Sequence, residues 1–324
     1  MRKKRALITG ISGQDGSYLA EYLLSIDYEV FGLMRRHSIA ENQDQRIKTI
    51  HDKISTFYGD LSDVFSIQRA MKESQPDEIY NLGAMSHVRI SFDMPAYTIQ
   101  TNANGVLNVL ETYRTIAPKA RFYQASSSEM FGNSVEEDKT QNENTPMKPV
   151  SPYGCSKLLG YSLVRHYRHA YGLHACNGIL FNHESPRRGS NFVTNKVVKT
   201  AVEIYRGKKD KLVLGNLDSY RDWGHSKDYV QGMHMIVNHD KADDFVIATG
   251  KTYSVRDLCR IVFDKLSMNY TDYIVQDDKF KRPEELNYLC GDASKAKKIL
   301  GWEPSYSFEE MIEEMVCYWK DQIQ

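Results

Sequence analysis

Between the apolar run Arg5-Ala6-Leu7-Ile8-Thr9 and an amphipathic stretch near Ser17 to Ser25 stands Gly10-Ile11-Ser12-Gly13-Gln14-Asp15-Gly16, and no other segment restricts the fold as much. Glycines at 10, 13 and 16, set between a predicted strand and a predicted helix, form a dinucleotide-binding fingerprint. Gly10 permits the turn, Gly13 lets backbone approach a pyrophosphate, and Gly16 lets the helix pack on the strand. The helix then offers unpaired N–H groups and its positive dipole end to phosphate. Ser12, Gln14 and Asp15 complete the predicted cradle.

Downstream, short apolar runs alternate with longer amphipathic ones, the rhythm of βαβ units. Strands are expected at Glu29 to Met34, Ser55 to Gly59, Glu78 to Leu82, Arg121 to Ala125 and Cys176 to Leu180, with a return near Asp244 to Ala248. Helices are expected at about Thr101 to Ile116 and at Ser151 to Tyr171, where Gly172 suits a C-cap. The expected fold class is α/β, a Rossmann-type doubly wound parallel sheet with a smaller, mostly helical, discontinuous substrate domain. Residues 1–180 plus about 225–250 form the first domain, and about 181–224 with 251–324 the second. No Pro/Gly/Ser-rich linker separates them, so the two lobes are expected to fold as one unit.

Charge excludes several functions. Lysine plus arginine equals aspartate plus glutamate at 42 each, so no global field attracts nucleic acid. Met1-Arg2-Lys3-Lys4-Arg5 is followed by too short an apolar run for a signal peptide or membrane span, and is expected to be a solvated lead-in. Five scattered cysteines without a CxxC pair suit a reducing cytoplasm and argue against a zinc site.

An NAD site would place an acid where strand two ends; here stand Arg35 and Arg36. Two guanidinium groups suit a 2′-phosphate, so NADP is the expected cofactor, the alternative being an exposed surface pair. Asp60 and Leu61 close strand three, where a carboxylate can meet the adenine amino group. Leu82, Gly83, Ala84 and Ser86 close strand four beside the cofactor.

Tyr153 and Lys157, four residues apart on a predicted helix, share one face. An ammonium beside a phenol favours the phenolate, which makes Tyr153 a base near neutrality. Ser127 and Glu129 fall just beyond strand five, at the carboxyl edge where such sheets bind ligands. The hydroxyl can hold an oxygen being oxidised. Once a sugar C4 is a ketone its C5 proton is acidic, and a carboxylate can take that proton and assist loss of the C6 hydroxyl. A simple reductase or 4-epimerase needs no such group.

From about residue 5 to residue 320 the chain resembles the GDP-mannose 4,6-dehydratases of the extended short-chain dehydrogenase superfamily. The resemblance rests on Ala6 through Leu19, Arg35-Arg36, Pro76 through Leu82, Ser86-His87-Val88 and Arg121 through Ser126. Its most specific parts are Asn177 through Gly189 and Arg221-Asp222-Trp223-Gly224-His225. It implies Ser127, Glu129 and Tyr153 as the catalytic trio, with Lys157 as the tyrosine's partner. It further implies Tyr97, His183 and Arg188 as cofactor contacts, and Ser86, Asn182, Lys196, Arg221, Arg282 and Glu285 toward a GDP-sugar. The loop from Arg35 to Arg46 is similar to one that reaches a neighbouring subunit, implying a homodimer or homotetramer. Ser127 stands where the family usually has threonine. The expected activity is dehydration of GDP-mannose through bound NADP. Alternatives are the same chemistry on a GDP-heptose, a 4-reductase, or a catalytically silent NADP-binding protein. Trp223 is expected either in the core or as a sugar platform. His166 and His169 are expected on the surface, and Glu309, Glu310, Glu313 and Glu314 on the solvated face of the last helix.

Overall fold

A computed structural model describes residues 2–36, 43–280 and 283–324. The chain opens with β1 (Arg5–Thr9), α1 (Gln14–Ser25), β2 (Glu29–Met34), β3 (Ser55–Tyr58), α2 (Val64–Ser74) and β4 (Glu78–Asn81). Short α3 (Val88–Asp93) and α4 (Pro95–Ile99) lead through a π-turn at Gln100–Asn104 into α5 (Gly105–Ile116), and then β5 (Arg121–Ser127). Next come α6 (Pro152–Tyr171), β6 (Ala175–Leu180), β7 (Asn182–Glu184), α7 (Val193–Tyr205), β8 (Leu212–Leu214) and β9 (Tyr220–His225). The order ends with α8 (Ser226–Asn238), β10 (Asp244–Ile247), β11 (Thr252–Ser254), α9 (Val255–Asp264), β12 (Ile274–Gln276), α10 (Ser294–Leu300) and α11 (Phe308–Gln322).

Seven of the described strands form one sheet in the order β10-β6-β5-β4-β1-β2-β3, every neighbouring pair parallel. Helices cover both faces, which is why Ala6, Leu7 and Ile8 are all buried in β1 instead of alternating with polar residues. One face packs on α1 and α8 through Leu19, Leu23, Met233 and Ile236. The other packs on α2, α5 and α6 through Ile67, Val109 and Val164. The chain leaves β1 and β4 toward opposite ends of the sheet, so the crevice for a ligand opens where their carboxyl ends diverge.

Several boundaries differ from expectation for identifiable reasons. α1 starts at Gln14 because the Ser17 N–H already reaches the Gly13 carbonyl, at 3.1 Å. β5 continues to Ser127 because β6 keeps pairing with it, Ser126 against Ile179 and Ser127 against Leu180. α6 does begin at the cap: the Ser151 hydroxyl accepts from Gly154 N at 3.0 Å, Pro152 opens the helix, and Gly172 (φ +65°) ends it. Together such caps are worth about 1–2 kcal/mol and fix where the helix presents its first turn.

A second core lies among α7, α9 and α11, built on Val198, Leu258, Phe263, Met311 and Met315. Trp223 belongs to it, 1% exposed and stacked on Phe308 at 5.5 Å, and it also lines the second of the cavities described below, so core packing and a place beside that cavity coexist. The basic lead-in is not simply solvated: Arg2 pairs with Asp77, Lys3 with Asp27, Lys4 with Glu78 and Arg5 with Glu29. Glu314 likewise leaves the solvated face expected for it. It accepts from His225 Nε2 at 2.8 Å and Lys227 Nζ at 2.9 Å, and these contacts hold its carboxyl down to about 2. His166 and His169 are exposed. No helix among the described residues is long and apolar enough to cross a membrane.

Candidate active site

Two adjoining cavities open at the carboxyl edge of the sheet. The first cavity, about 380 Å³, is lined by Gly10, Ser12, Gly13, Gln14, Asp15 and Gly16 of the turn after β1. Arg35, Asp60, Leu61, Leu82, Gly83, Ala84, Ser86 and Arg188 continue its wall. The second cavity, about 340 Å³, gathers Ser127, Glu129, Tyr153, Lys157, Asn182, His183, Lys196, Arg221 and Glu285. Asp15, Leu82, Ala84, Ser86, Arg188 and Phe192 line both, so they form a common partition. Arg36 and Tyr97 line neither cavity, although the Tyr97 hydroxyl meets the Arg35 guanidinium. Arg282 and residues 37–42 of the Arg35-to-Arg46 loop lie outside the described residues.

The first turn fits a dinucleotide on its own geometry. A Cβ on Gly16 would lie 2.3 Å from the Gly10 carbonyl oxygen, so only glycine lets α1 start this close to the turn. Gly13 is the N-cap and no side chain caps the helix, leaving its first N–H groups for phosphate. Arg46, which no local signal marked, also lines this cavity, with its Nε donating to the Arg187 carbonyl at 2.7 Å. Burial and the neighbouring Arg187 and Arg188 pull its pKa down, a condition that an anion would relieve. Among the described residues no cluster of three or more His, Cys, Asp or Glu could hold a metal.

The catalytic candidates are held from three directions. Ser127 ends β5, and its Oγ accepts from Glu129 N at 3.2 Å, capping the short turn Ser128–Met130 that carries the carboxylate. Tyr153 sits in the first turn of α6, its backbone N–H donating to Ser91 Oγ at 3.2 Å. Gly154 brings that turn against Glu129: a Cβ there would lie 2.8 Å from the Glu129 carbonyl oxygen. Lys157 donates to the Ala125 carbonyl at 2.8 Å, and its Nζ lies 5.7 Å from the Tyr153 ring centroid.

The protonation balance differs from the sequence expectation. Burial pushes the Tyr153 phenol up to about 12, with the hydrogen bond from Ser127 and the charge of Arg188 easing it downward. Burial also pulls Lys157 down to about 8, opposed by the Asp15 carboxylate. Desolvation therefore outweighs the ammonium–phenol attraction that sequence spacing alone suggested.

At the far end of the second cavity, Arg221 Nη2 pairs with Glu285 Oε1 at 3.0 Å, and its Nη1 donates to the Tyr220 and Leu286 carbonyls, both at 2.9 Å. Lys196 donates to the Val213 carbonyl at 2.7 Å and lies 4.1 Å from the Phe280 ring centroid. Asn182 is fixed by β7, paired with Trp223 of β9. Arg188 stands 2.9 Å from Glu184, its guanidinium carbon 3.7 Å from the Phe192 ring centroid. Phe192 and Phe280 passed unmarked because an isolated aromatic carries no periodic signal. Arg187 had one, as the neighbour of Arg188 in a distinctive run.

The sequence profile described as GDP-mannose 4,6 dehydratase matches residues 7–315. A GDP-mannose 4,6 dehydratase of Drosophila melanogaster is 44% identical, over 97% of this chain and 86% of that protein. One from Yersinia enterocolitica is 46% identical, over 97% of this chain and 93% of its own length. Among solved structures, a dTDP-glucose 4,6-dehydratase of Bacillus anthracis in complex with NAD superposes with a TM-score of 0.84 at 23% identity. That superposition covers 98% of this chain and 97% of the other, and at such identity it speaks for the fold alone.

Proposed function

The chain belongs to the GDP-mannose 4,6-dehydratase family, and from that premise we propose that it is an NADP-dependent lyase converting GDP-D-mannose to GDP-4-keto-6-deoxy-D-mannose and water. The observation that carries the reading is the convergence of Glu129, Tyr153 and Ser127 on one cavity, behind a partition whose other side is the dinucleotide turn. A reductase would need the phenol and the turn. Only an elimination needs the carboxylate.

Gly10, Gly13 and the first turn of α1 would hold the pyrophosphate, and Arg35 with Arg46 the charged end of the adenosine. Those two arginines, with no acid closing β2, support NADP over NAD. A nicotinamide bound there would supply the hydride chemistry, as acceptor for the C4 oxidation and donor for the closing reduction at C6. The positive charge of an oxidised nicotinamide bound beside it would lower the Tyr153 phenol from the value that burial alone gives, so that Tyr153, as phenolate, accepts the proton of the 4-hydroxyl while the Ser127 hydroxyl donates to the oxygen becoming a carbonyl. The Lys157 ammonium, close by, stabilises that phenolate. Glu129 takes the C5 proton and passes it to the departing C6 hydroxyl, so that water leaves. The proton held by Tyr153 then goes to C5 as the chain of transfers closes, and nothing is consumed except the sugar's own water. Lys196 and Arg221 supply positive charge for the diphosphate of a GDP-sugar. Assembly as a homodimer or homotetramer belongs to the same reading, and light scattering checks it.

Mass spectrometry of GDP-mannose incubated with the protein and catalytic NADP tests the reading. Loss of one water without accumulation of NADPH is the expected result. Intact GDP-mannose, with turnover of a GDP-heptose in its place, would move the substrate; failure on a nucleotide-sugar panel would remove the enzyme.

A further inference from the structure

Asp15, on the partition between the cavities, faces His183 across the join of the two lobes. His183 Nε2 lies 2.8 Å from Asp15 Oδ2, and Nδ1 lies 2.7 Å from the carbonyl oxygen of Phe181. A carbonyl only accepts, so Nδ1 carries a proton; a carboxylate so near Nε2 demands a second proton between the two. The unit thus holds two protons and is neutral as a whole, which suits its burial. Tyr229 stacks on the imidazole with centroids 4.5 Å apart, fixing the ring's plane. Gln14 adds a second tie: its amide donates to the His183 carbonyl at 3.1 Å and accepts from Ser185 Oγ at 2.8 Å. The first turn of α1 is therefore fastened to β7, a strand of the other lobe.

We propose that Asp15 and His183 form a proton-sharing bolt, with Asp15 the positioning residue for His183, through which the grip on the dinucleotide depends on the substrate lobe being seated. The inference rests on the dinucleotide reading of the glycine-rich turn. Bound nucleotide packs on the turn that the bolt holds, so loosening β7 loosens the cradle.

The bolt titrates. His183 faces Asp15 from α1, Tyr229 from α8, and Arg188 and Glu184 from its own segment. Asp15 also feels Lys157 and Tyr153 of α6. Burial and Arg188 oppose the imidazolium, but Asp15 outweighs them and His183 is raised, while Asp15 itself is lowered. A raised histidine contributes below its unfolded value and stops contributing as pH climbs through its folded one. The grip is therefore strongest in the window between the two titrations and weakens on the alkaline side.

Fluorescence titration with NADPH, without sugar, tests this on the full-length protein, Asp15→Asn, His183→Asn and the double variant. Wild-type affinity is expected to fall as pH rises from the ordinary histidine range to the alkaline side. Each single variant should lose about tenfold at the acid end and its pH dependence with it. The double variant should bind no worse than either single one. Additive losses, or an unchanged pH profile in Asp15→Asn, overturn the bolt. So does a flat wild-type profile, which needs no variant to fold. If the wild type binds neither NADPH nor NADH at any pH, the dinucleotide reading fails instead.

Discussion

Replacing Gly154 with alanine tests whether the contact between α6 and the Glu129 turn sets the catalytic geometry. The new Cβ would lie 2.8 Å from the Glu129 carbonyl oxygen and 2.9 Å from Pro149 Cβ, whereas ordinary contact begins at 3.4 Å. The obstacle is backbone, which cannot rotate aside, so one side must retreat by about 0.6 Å. Tyr153 moves with the helix and Glu129 stays with β5, so the phenol and the carboxylate separate. A misplacement of about 1 Å costs about a hundredfold, which puts the loss in kcat here near tenfold, with KM little changed. Overpacking should also cost about 1–3 kcal/mol of stability. Gly172→Ala, at the other end of the same helix, is the control: φ is +65° and nothing lies within 4 Å of its Cβ. It should lose about 1–2 kcal/mol from backbone strain and nothing in kcat. Steady-state formation of the 4-keto sugar, with thermal melts of each variant, reads both quantities. A folded Gly154→Ala enzyme with wild-type kcat, or an equal loss in Gly172→Ala, would refute the geometric argument.

Glu129→Gln keeps the shape and removes the base. Oxidation at C4 should still occur in a single turnover, seen as reduced-nicotinamide absorbance, while water loss falls by about 10²–10⁴; normal turnover would sink the assignment. Glu314 is held at about 2, below its ordinary 4.5, so its contribution is present above the ordinary value and is lost as pH falls toward about 2. Since the side chain is one-third exposed, that contribution is about 1–2 kcal/mol after screening, and Glu314→Gln should flatten Tm against pH on the acid side; parallel curves would contradict it. The Tyr229 hydroxyl is buried with no hydrogen-bond partner among the described residues. Tyr229→Phe should therefore gain about 1 kcal/mol while keeping the ring stack, and a lower Tm would mean that the hydroxyl is satisfied.

Local rules made much of this molecule legible. The glycine spacing with its flanking strand and helix marked the turn between β1 and α1, and Ser151, Pro152 and Gly172 bounded α6, because caps and φ preferences act within a few residues. What escaped depends on distant partners. Ser127 joins β5 only because Leu180 pairs with it. Glu314 looks like a surface acid until His225, far back in the chain, arrives beside it. Arg46, at the end of the loop whose resemblance pointed to a neighbouring subunit, lines the cavity of its own chain's glycine-rich turn. For the Tyr153–Lys157 pair, the residue types and spacing were visible, but burial was not, and burial decides both protonation states.

The central sheet is sealed late. β6, uncharged and buried along its whole length, waits for β10, which the chain supplies only after the excursion through β7, α7, β8, β9 and α8. A nascent chain halted within residues 181–243 would present β6 as an open, apolar, parallel edge, a template for pairing between molecules. Such long-range closure is slow compared with hairpin formation. Productive folding thus depends on the chain through β10 being made promptly, and truncations in that interval should aggregate instead of yielding a free, folded N-terminal unit.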